Sequence, residues 1–494
     1  MSNRSILILL VILFLAACSM PSPQVDSVDE SGFSVGAIPQ QQDGGASDPR
    51  SGLSAQPEET EKPVATGGPL DGEGVVIFYN GTVLTMNDAQ PAAEALAIQG
   101  DTILAVGDLE TVLASQDESS QLIDLEGRTL MPGFVDAHSH MFTDYQGQSG
   151  SILDVQQQAL AQGITTIADM GGDTGQLVTA LRQLEADGDL RMRVSVYLVR
   201  INNCGEDVGV WYQDFPQAVE PGALVQVPGV KIFTDGGSCS IPAMSVEYPG
   251  GGMGDLYFTQ DGLNQLFAEL DAAGYQVAAH ALGDRAIEQT LNAIEAVNGG
   301  GNNQMRHRIE HNATVRPDMV ERYSQVQPVA TIFGHFSACL WQGDTSQFKY
   351  ILGEEYRTWD WPYRTLIEAN PEAVFAWHGD VPIFPLSAIQ NLWGFVTRQE
   401  IGPEGQICQP QDWALEETIP VETALELMTI NSAYALWRDG EVGSVETGKL
   451  ADIVLLSDNP LAVPADNLID LQVLVTLVIG RAEFCAPGME AFCP

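Results

Sequence analysis

Between residues 132 and 437, short apolar runs alternate with stretches of helical periodicity. One helical stretch follows Thr174, its predicted cap, and another follows Asp284. Such alternation is typical of parallel sheets, because neighbouring parallel strands need a crossover, usually a helix. Eight apolar runs have strand character: 134–138, 164–168, 194–198, 230–234, 275–280, 308–311, 329–333 and 373–377. Eight strands with intervening helices over about 300 residues predict an α/β chain with a (β/α)8 TIM-like barrel.

Two β-rich segments flank this block. Residues 74–131 contain short alternating strand patterns and the hairpin signal Asn80-Gly81, and residues 438–494 contain strand patterns at 452–456 and 473–479. Two such segments on either side of one central block predict a small discontinuous β-sandwich. We therefore expect its first part at 74–131, the barrel at 132–437, and its second part with a C-terminal tail at 438–494.

The N-terminus has the features of an export signal. Arg4 precedes a short apolar run that ends in Leu-Ala-Ala-Cys18, too short to span a bilayer with margin. A cysteine at this place resembles the lipobox of bacterial lipoproteins, whose cysteine is acylated after cleavage; an ordinary signal peptide with an incidental cysteine is the alternative. We expect a lipoprotein signal peptide at 1–18 and lipidation at Cys18. The protein would then be exported to the periplasmic or extracellular face of a bacterial cell envelope.

Residues 19–73 are rich in Ser, Pro, Gly, Gln and acidic residues, a composition that predicts a disordered acidic linker. The whole chain has 66 acidic and 21 basic residues, a formal net charge of −45. This charge argues against nucleic acid and against an anionic membrane surface as partners. Membrane contact is therefore expected only through the lipid anchor, and the charge does not select a substrate.

Six cysteines remain after Cys18, and their spacing contains no zinc-ribbon pattern. An exported protein meets an oxidising compartment, which allows disulfides. Cys485 and Cys493 lie close together in the C-terminal tail, and we predict that they pair. The other four fit either disulfides or buried thiols.

His138 and His140 form the densest polar signal of the predicted barrel. They end the apolar run 132–140, and because side chains of a strand alternate with a period of two, both imidazoles should lie on one face. Two neutral imidazoles on one face suit zinc or a related divalent ion. Taken alone, the pair fits exposed loop histidines equally well.

Four later polar residues occupy the corresponding place on other predicted strands, where barrel active sites lie. They are Lys231, His280, His311 and Asp380. The chain has only four lysines, and one inside an apolar strand is costly unless it is neutral, paired or modified. Each residue also has a structural explanation, since a lone histidine is often a satisfied polar group and a lone aspartate is often a helix cap. All these explanations would have to hold together on one barrel rim.

With these motifs the chain resembles the amidohydrolase superfamily, and within it the family-three amidohydrolases, which include N-substituted formamide deformylases. The resemblance extends from Val75 to Arg481. Its motifs lie at 132–140, 231–237, 280–286, 307–311 and 443–456. This is an ordered set of motifs, which makes it specific.

The resemblance implies a metal centre of two divalent ions, expected to be zinc. His138, His140 and Asp380 would hold one ion, and His280 and His311 the other. Lys231 would bridge them as a carbamate (a carboxylated lysine). Such a centre polarises a scissile carbonyl and lowers the pKa of water.

The resemblance also implies a catalytic role and a substrate class. Asp380 would accept a proton from the attacking water and pass it to the leaving nitrogen. The substrate would be a small molecule with a non-peptide C–N bond, in an amide, a formamide or a cyclic amide. An esterase or carbamate hydrolase with the same centre, or an inactive binding lipoprotein, are the alternatives. Carboxylates that could orient the imidazoles are Asp136, Asp235 and Asp284.

The chain departs from that family at three places. The segment from His140 to Gly163 is shorter than is usual there, and Gly379 precedes Asp380 where a serine is expected. His378 lies unusually close to Asp380; like His307 and His335 it could contact substrate or serve as a structural polar group. The Trp-rich stretch 341–361 could be a lid or a surface loop.

Overall fold

The computed structural model describes residues 74–494, apart from 145–149, 173–174, 337, 340–351, 353, 403, 490–491 and 494. The predicted signal peptide with Cys18, the predicted linker at 19–73 and most of 341–361 lie outside the described residues. Among the residues that are described, no helix is both long enough and apolar enough to cross a membrane.

The first described residues form seven short strands. These are β1 (Val75–Tyr79), β2 (Thr82–Leu84), β3 (Ala92–Ala93), β4 (Ala95–Gln99), β5 (Thr102–Gly107), β6 (Gln121–Asp124) and β7 (Thr129–Pro132). Four of them form a sheet of order β5-β4-β1-β6. Its strands β1 and β4 pair antiparallel, and β1 and β6 pair parallel.

The predicted barrel is confirmed as an eight-stranded parallel sheet in chain order. Its strands are β8 (Phe134–Ser139), β9 (Ile164–Gly172), β10 (Arg193–Val199), β11 (Val225–Phe233), β12 (Gln276–Ala281), β13 (Arg308–His311), β14 (Val329–Ile332) and β15 (Val374–Trp377). The amide of His140 donates to Val381 O at 2.8 Å, and that of Asp380 donates to His138 O at 3.0 Å. These two bonds join the segment after β15 to the end of β8, so the first and last strands meet.

Strands that follow the barrel complete the sandwich. They are β18 (Ile453–Leu456), β19 (Val473–Val478) and β20 (Arg481–Cys485), whereas β16 (Glu400–Ile401) and β17 (Ile407–Cys408) form a separate two-stranded sheet. A six-stranded sheet of order β20-β19-β18-β7-β2-β3 combines strands from both flanks of the barrel. Phe78 and Leu96 of the first sheet share one buried cluster with Leu130 and Leu455 of the second. The discontinuous β-sandwich is thereby confirmed, while the exact domain bounds stay a prediction.

Of the described helices, the first lies between β5 and β6, the next seven lie between barrel strands or directly follow the last of them, and the last two precede β18. The helices are α1 (Leu109–Leu113), α2 (Ile152–Ala161), α3 (Gln176–Asp187), α4 (Gln260–Ala272), α5 (Asp284–Asn298), α6 (Arg322–Val326), α7 (Tyr363–Ala369), α8 (Ala388–Thr397), α9 (Val421–Leu427) and α10 (Ile430–Ala435). Side chains of Ser151, Thr259 and Ser387 cap α2, α4 and α8 by accepting a backbone N–H of the first turn. Helix α3 has Gly175 as its cap residue, and the predicted cap Thr174 lies outside the described residues.

Strand β11 begins five residues earlier than its apolar run predicted, at Val225. Gln226 and Pro228 interrupt the apolar pattern in this part of the strand. A Cβ on Gly229 would lie 2.1 Å from Gln276 O, so only glycine allows β11 and β12 to approach here. This close approach precedes Lys231 by two residues and helps to fix its place in the barrel.

Three disulfides lie within the described residues. Cys485–Cys493 confirms the predicted pair, with a Cα–Cα distance of 6.4 Å. The four cysteines left open by the sequence form Cys204–Cys239 and Cys339–Cys408, at Cα–Cα distances of 5.2 and 5.0 Å. The first of these bridges connects the loops after β10 and β11 at the C-terminal rim of the barrel.

Candidate metal centre

His138 and His140 lie at the end of β8 and direct their imidazoles toward each other. Their Nε2 atoms are 3.4 Å apart, as the period of two in a strand predicts. His138 is fully buried and the side chain of His140 is a quarter exposed. The pair therefore lies between the barrel interior and its open rim.

Asp380 completes a three-residue group with this pair. Its Oδ1 lies 3.5 Å from His138 Nε2 and 3.6 Å from His140 Nε2. One ligand atom from each of the three residues lies within 4.8 Å of the others, a spacing at which they could hold a metal ion. Asp380 has a φ of 51°, a backbone conformation that is rare for residues other than glycine and clusters at functional sites.

Lys231 reaches the same place from β11. Its Nζ lies 3.4 Å from His138 Nε2 and 4.7 Å from the ring centroid of Phe233. Burial lowers the pKa of Lys231 to about 8, and the charges of Glu310 and Asp380 oppose that shift. With that pKa roughly a tenth of the amine is neutral at pH 7, and the neutral amine is the form that reacts with carbon dioxide.

His280 and His311 occupy the far side of the group. Their ring centroids are 4.7 Å apart, and that of His311 lies 4.8 Å from that of His138. Nε2 of His280 lies 3.0 Å from Gly236 O. Because a carbonyl oxygen only accepts, this nitrogen carries the proton and Nδ1 is the ring nitrogen left for a metal.

Glu310 fixes the orientation of His138, a role that the sequence analysis missed. Its Oε2 lies 2.6 Å from His138 Nδ1 and accepts from Thr331 Oγ1 at 2.8 Å. The Arg308 guanidinium donates to both of its oxygens at 2.8 Å. Burial raises the pKa of Glu310, but the charges of Arg308 and Lys231 outweigh it and hold that pKa below its ordinary value. An ionised Glu310 keeps the proton of His138 on Nδ1 and leaves Nε2 to face the centre.

The imidazoles of the group are neutral. Burial, followed by the charge of Lys231, lowers the pKa of His140 and of His280 to about 3. The pKa values of His138 and His311 also lie well below the usual value, with burial as the largest cause. Neutral imidazole is the form that binds metal ions, so the donor set fits a divalent ion of the zinc type.

The three carboxylates that were expected to orient the imidazoles mainly accept hydrogen bonds from backbone amides. Asp136 Oδ1 accepts from the amides of His138 and Gly379 at 3.1 and 2.9 Å. Asp235 accepts from three loop amides, and its closest approach to an imidazole is 3.7 Å, to His280 Nε2. Asp284 accepts from Ser245 N and Arg316 Nη1, both at 2.8 Å, away from the imidazoles of the centre.

The other three histidines differ in their surroundings. His307 accepts from the amide of Val277 through Nδ1 and lies 3.2 Å from Asp271, at the N-terminal start of β13, so its role is structural. His335 pairs with Asn391 at 2.9 Å. His378 lies within the centre itself, with its ring centroid 5.0 Å from that of His138.

Aromatic rings line the rim beside the centre. The ring of Phe333 lies 5.2 Å from those of His378 and Phe384 and 5.8 Å from that of Trp361. Phe233 lies on the other side, 4.7 Å from the ring of His280. The approach to the donor set is therefore apolar on two sides, a surface suited to the apolar part of a small organic molecule.

A family model described as "Amidohydrolase family" matches residues 121–159 and 145–482 of the chain. Protein LONG AFTER FAR-RED 3 of Arabidopsis thaliana is 27% identical over 324 residues, 63% of this chain and 53% of that protein. N-substituted formamide deformylase of Arthrobacter pascens is 26% identical over 273 residues, 54% of this chain and 47% of the deformylase. The chain thus spans about half the length of these two relatives. An uncharacterized metal-dependent hydrolase from Pyrococcus furiosus shares the fold with a TM-score of 0.64 at 20% identity, over 78% of this chain and 100% of that chain.

Proposed function

The chain belongs to the amidohydrolase family, and from this we propose that it hydrolyses a non-peptide C–N bond of a small molecule with the aid of divalent metal ions. The observation that carries the proposal is the group His138, His140 and Asp380, whose ligand atoms lie within 4.8 Å of one another. Neutral imidazoles and a carboxylate at the C-terminal rim of a barrel are suited to a hydrolytic metal centre.

His138, His140 and Asp380 would hold one ion, and His280 and His311 would contribute to a second, both expected to be zinc. When bound, such ions polarise a carbonyl and lower the pKa of water. Glu310 holds His138 in the tautomer that leaves Nε2 facing the centre.

Asp380 would act as the catalytic proton carrier. Its Oδ1 lies 3.5 Å from His138 Nε2 and 3.6 Å from His140 Nε2, so its carboxylate would lie beside water held at the centre. It would take the proton from the attacking water and pass it to the leaving nitrogen.

Lys231 is proposed to be carboxylated and to bridge the two ions. The neutral amine adds to carbon dioxide, an N–C bond forms, and one proton leaves to solvent, which yields a carbamate anion. Full burial of Lys231 and its 3.4 Å distance from His138 Nε2 support this, because an anion among neutral imidazoles suits cations better than an ammonium does. Continuous electron density beyond Nζ in a crystal structure is the expected result, and a bare amine would contradict it.

The substrate is proposed to be an amide, a formamide or a cyclic amide with an apolar substituent. The relative from Arthrobacter pascens, an N-substituted formamide deformylase, supports the formamide. Phe233 and Phe333 on two sides of the centre support the apolar substituent. The net charge of −45 makes nucleic acid an unsuitable partner.

Export as a cell-envelope lipoprotein, anchored through Cys18, remains a proposal. Two observations support it: the sequence of residues 1–18 and the three disulfides of the described part. Disulfides persist in oxidising compartments and are rare in the cytosol. Radiolabelled palmitate incorporated by the native chain and absent from Cys18→Ala is the expected result; equal labelling would contradict it.

Metal content and substrate preference test the proposed function. Elemental mass spectrometry of the purified chain should find about two divalent ions per chain, and chelation should abolish turnover. N-substituted formamides and cyclic amides should be hydrolysed faster than p-nitrophenyl esters. A folded chain that takes up no divalent metal contradicts the proposal. Preference for esters indicates the esterase or carbamate hydrolase, and metal uptake without turnover of any substrate indicates the inactive binding lipoprotein.

A further inference from the structure

His378 is a buried imidazole that has no hydrogen-bond partner among the described residues. It directly follows β15, and its amide donates to Ile332 O at 2.9 Å, which fixes the backbone. The side chain is fully buried, yet neither Nδ1 nor Nε2 finds a partner among the described residues. Buried polar atoms are nearly always paired, so an imidazole with two free nitrogens points to a ligand that the protein chain does not itself provide.

The neighbours of this ring narrow the kind of ligand. Its centroid lies 5.0 Å from that of His138, 4.9 Å from that of His311 and 5.2 Å from that of Phe333. Two of these neighbours are themselves neutral imidazoles, and the third is apolar. A cation held by His378 together with a neighbouring imidazole would give His378 the partner that it lacks.

Distances support such a cation. Ligand atoms of His311, His378 and Asp380 lie within 4.8 Å of one another, and all three residues are buried. Ligand bonds of about 2.1 Å to one zinc ion place ligand atoms at most about 4.2 Å apart. Shifts of less than about 1 Å would therefore bring the three ligand atoms onto one ion.

Asp380 divides its two oxygens between two groups. Oδ1 faces His138 and His140 at 3.5 and 3.6 Å, and Oδ2 faces His311 Nδ1 at 3.9 Å. We propose that His378 is a ligand of the second metal ion together with His311 and Asp380, whose carboxylate then bridges both ions. This inference rests on the proposed function, and it adds a ligand to the second ion, for which the sequence predicted His280, His311 and the bridging Lys231.

A cysteine at position 378 gives a direct spectroscopic test. In the cobalt-substituted full chain, His378→Cys should show a thiolate-to-cobalt charge-transfer band in the near ultraviolet. His335→Cys is the matched control, because His335 is a buried rim histidine whose ring pairs with Asn391 instead of facing the centre. The wild-type chain and this control should lack the band.

Metal affinity gives a second readout that does not depend on turnover. His378→Phe keeps an aromatic ring and removes both nitrogens, so the dissociation constant of the second zinc ion, measured by competition with a chelator, should rise roughly 100-fold or more. The first ion should be retained. If His378→Phe fails to fold, the cysteine variant alone decides.

Absence of the charge-transfer band, or a second zinc ion bound as tightly in His378→Phe as in the wild type, overturns the inference. Loss of turnover with both ions retained overturns it too and assigns His378 to the substrate. These results leave the proposed function intact, whereas a wild-type chain that binds no divalent metal refutes both.

Discussion

Replacing Glu310 by Gln removes one negative charge from the interior of the barrel while keeping the shape of the side chain. Glu310 is fully buried, and its oxygens accept from His138, Thr331 and Arg308. The amide of glutamine can accept through one oxygen only, and its NH2 group faces donors. In this variant Arg308 and His138 can no longer both keep all the hydrogen bonds that they make to Glu310.

The substitution should change both the free energy of unfolding and the metal affinity. Arg308 is buried, with Tyr197 Oη and Ala137 O as its remaining acceptors at 3.0 and 2.8 Å. Breaking a buried ion pair by removing one charge destabilises a protein by about 3–5 kcal/mol, so Glu310→Gln should lower the free energy of unfolding by about 3 kcal/mol. Loss of a carboxylate that orients a ligating histidine lowers metal affinity roughly 10- to 100-fold, the second effect that we expect.

Urea unfolding of the metal-free chain and zinc competition with a chelator measure the two effects separately. The matched control is Asp452→Asn, which breaks the buried pair of Asp452 with Arg193, where Nε and Oδ2 lie 2.7 Å apart. Arg193 begins β10 at the end of the barrel remote from the centre, so this variant should lose stability to a similar extent and keep its zinc affinity. Unchanged zinc affinity in Glu310→Gln would refute the argument that Glu310 positions His138.

Three further outcomes are expected. Asp380→Asn should lower kcat by about 100- to 10,000-fold in steady-state assays, because the amide cannot carry the proton; activity within tenfold of the wild type would exclude this role. Burial lowers the pKa of His335 from 6.5 to about 4. Between pH 6.5 and about pH 4 the unfolded chain therefore binds a proton at this histidine that the native chain does not bind. The free energy of unfolding falls as the pH falls through this range. His335→Gln should reduce the slope of the unfolding free energy against pH there by about 1.4 kcal/mol per unit, and an unchanged slope in urea titrations would contradict this. Replacing Cys339 and Cys408, 69 residues apart, by Ser should lower the unfolding free energy by up to about 4 kcal/mol through restored chain entropy, and no loss relative to the wild type would refute that estimate.

Local patterns in the sequence predicted much of the fold. Parallel barrel strands are buried on both faces, so they appear as continuous apolar runs, and all eight were predicted within a few residues except at the start of β11. The period of two placed His138 and His140 on one face without reference to any other strand. Cys485 and Cys493, 8 residues apart, were close enough in sequence to suggest their pairing.

Contacts between residues that are far apart in sequence were visible only in the tertiary structure. Glu310 lies 172 residues from His138 in sequence, and its alternation with Arg308 on β13 was visible, but its partner on β8 was not. Asp284 looked like a carboxylate for an imidazole and instead binds Arg316. His378 looked like a structural polar group, and the fold places it against His138 and His311, with neither nitrogen bonded to any other residue that the structure describes.

The physical reason for this division is the range of each interaction. Strand alternation, helix periodicity and turn chemistry depend on residues within a few positions of one another, so the sequence by itself determined the barrel, the sandwich and the candidate ligands at strand ends. Charge pairing, orphaned polar atoms and ring contacts depend on which strand ends meet across the barrel axis. Only the tertiary structure decided that Asp380 lies between His138 and His311, and that Glu310 orients His138 from β13.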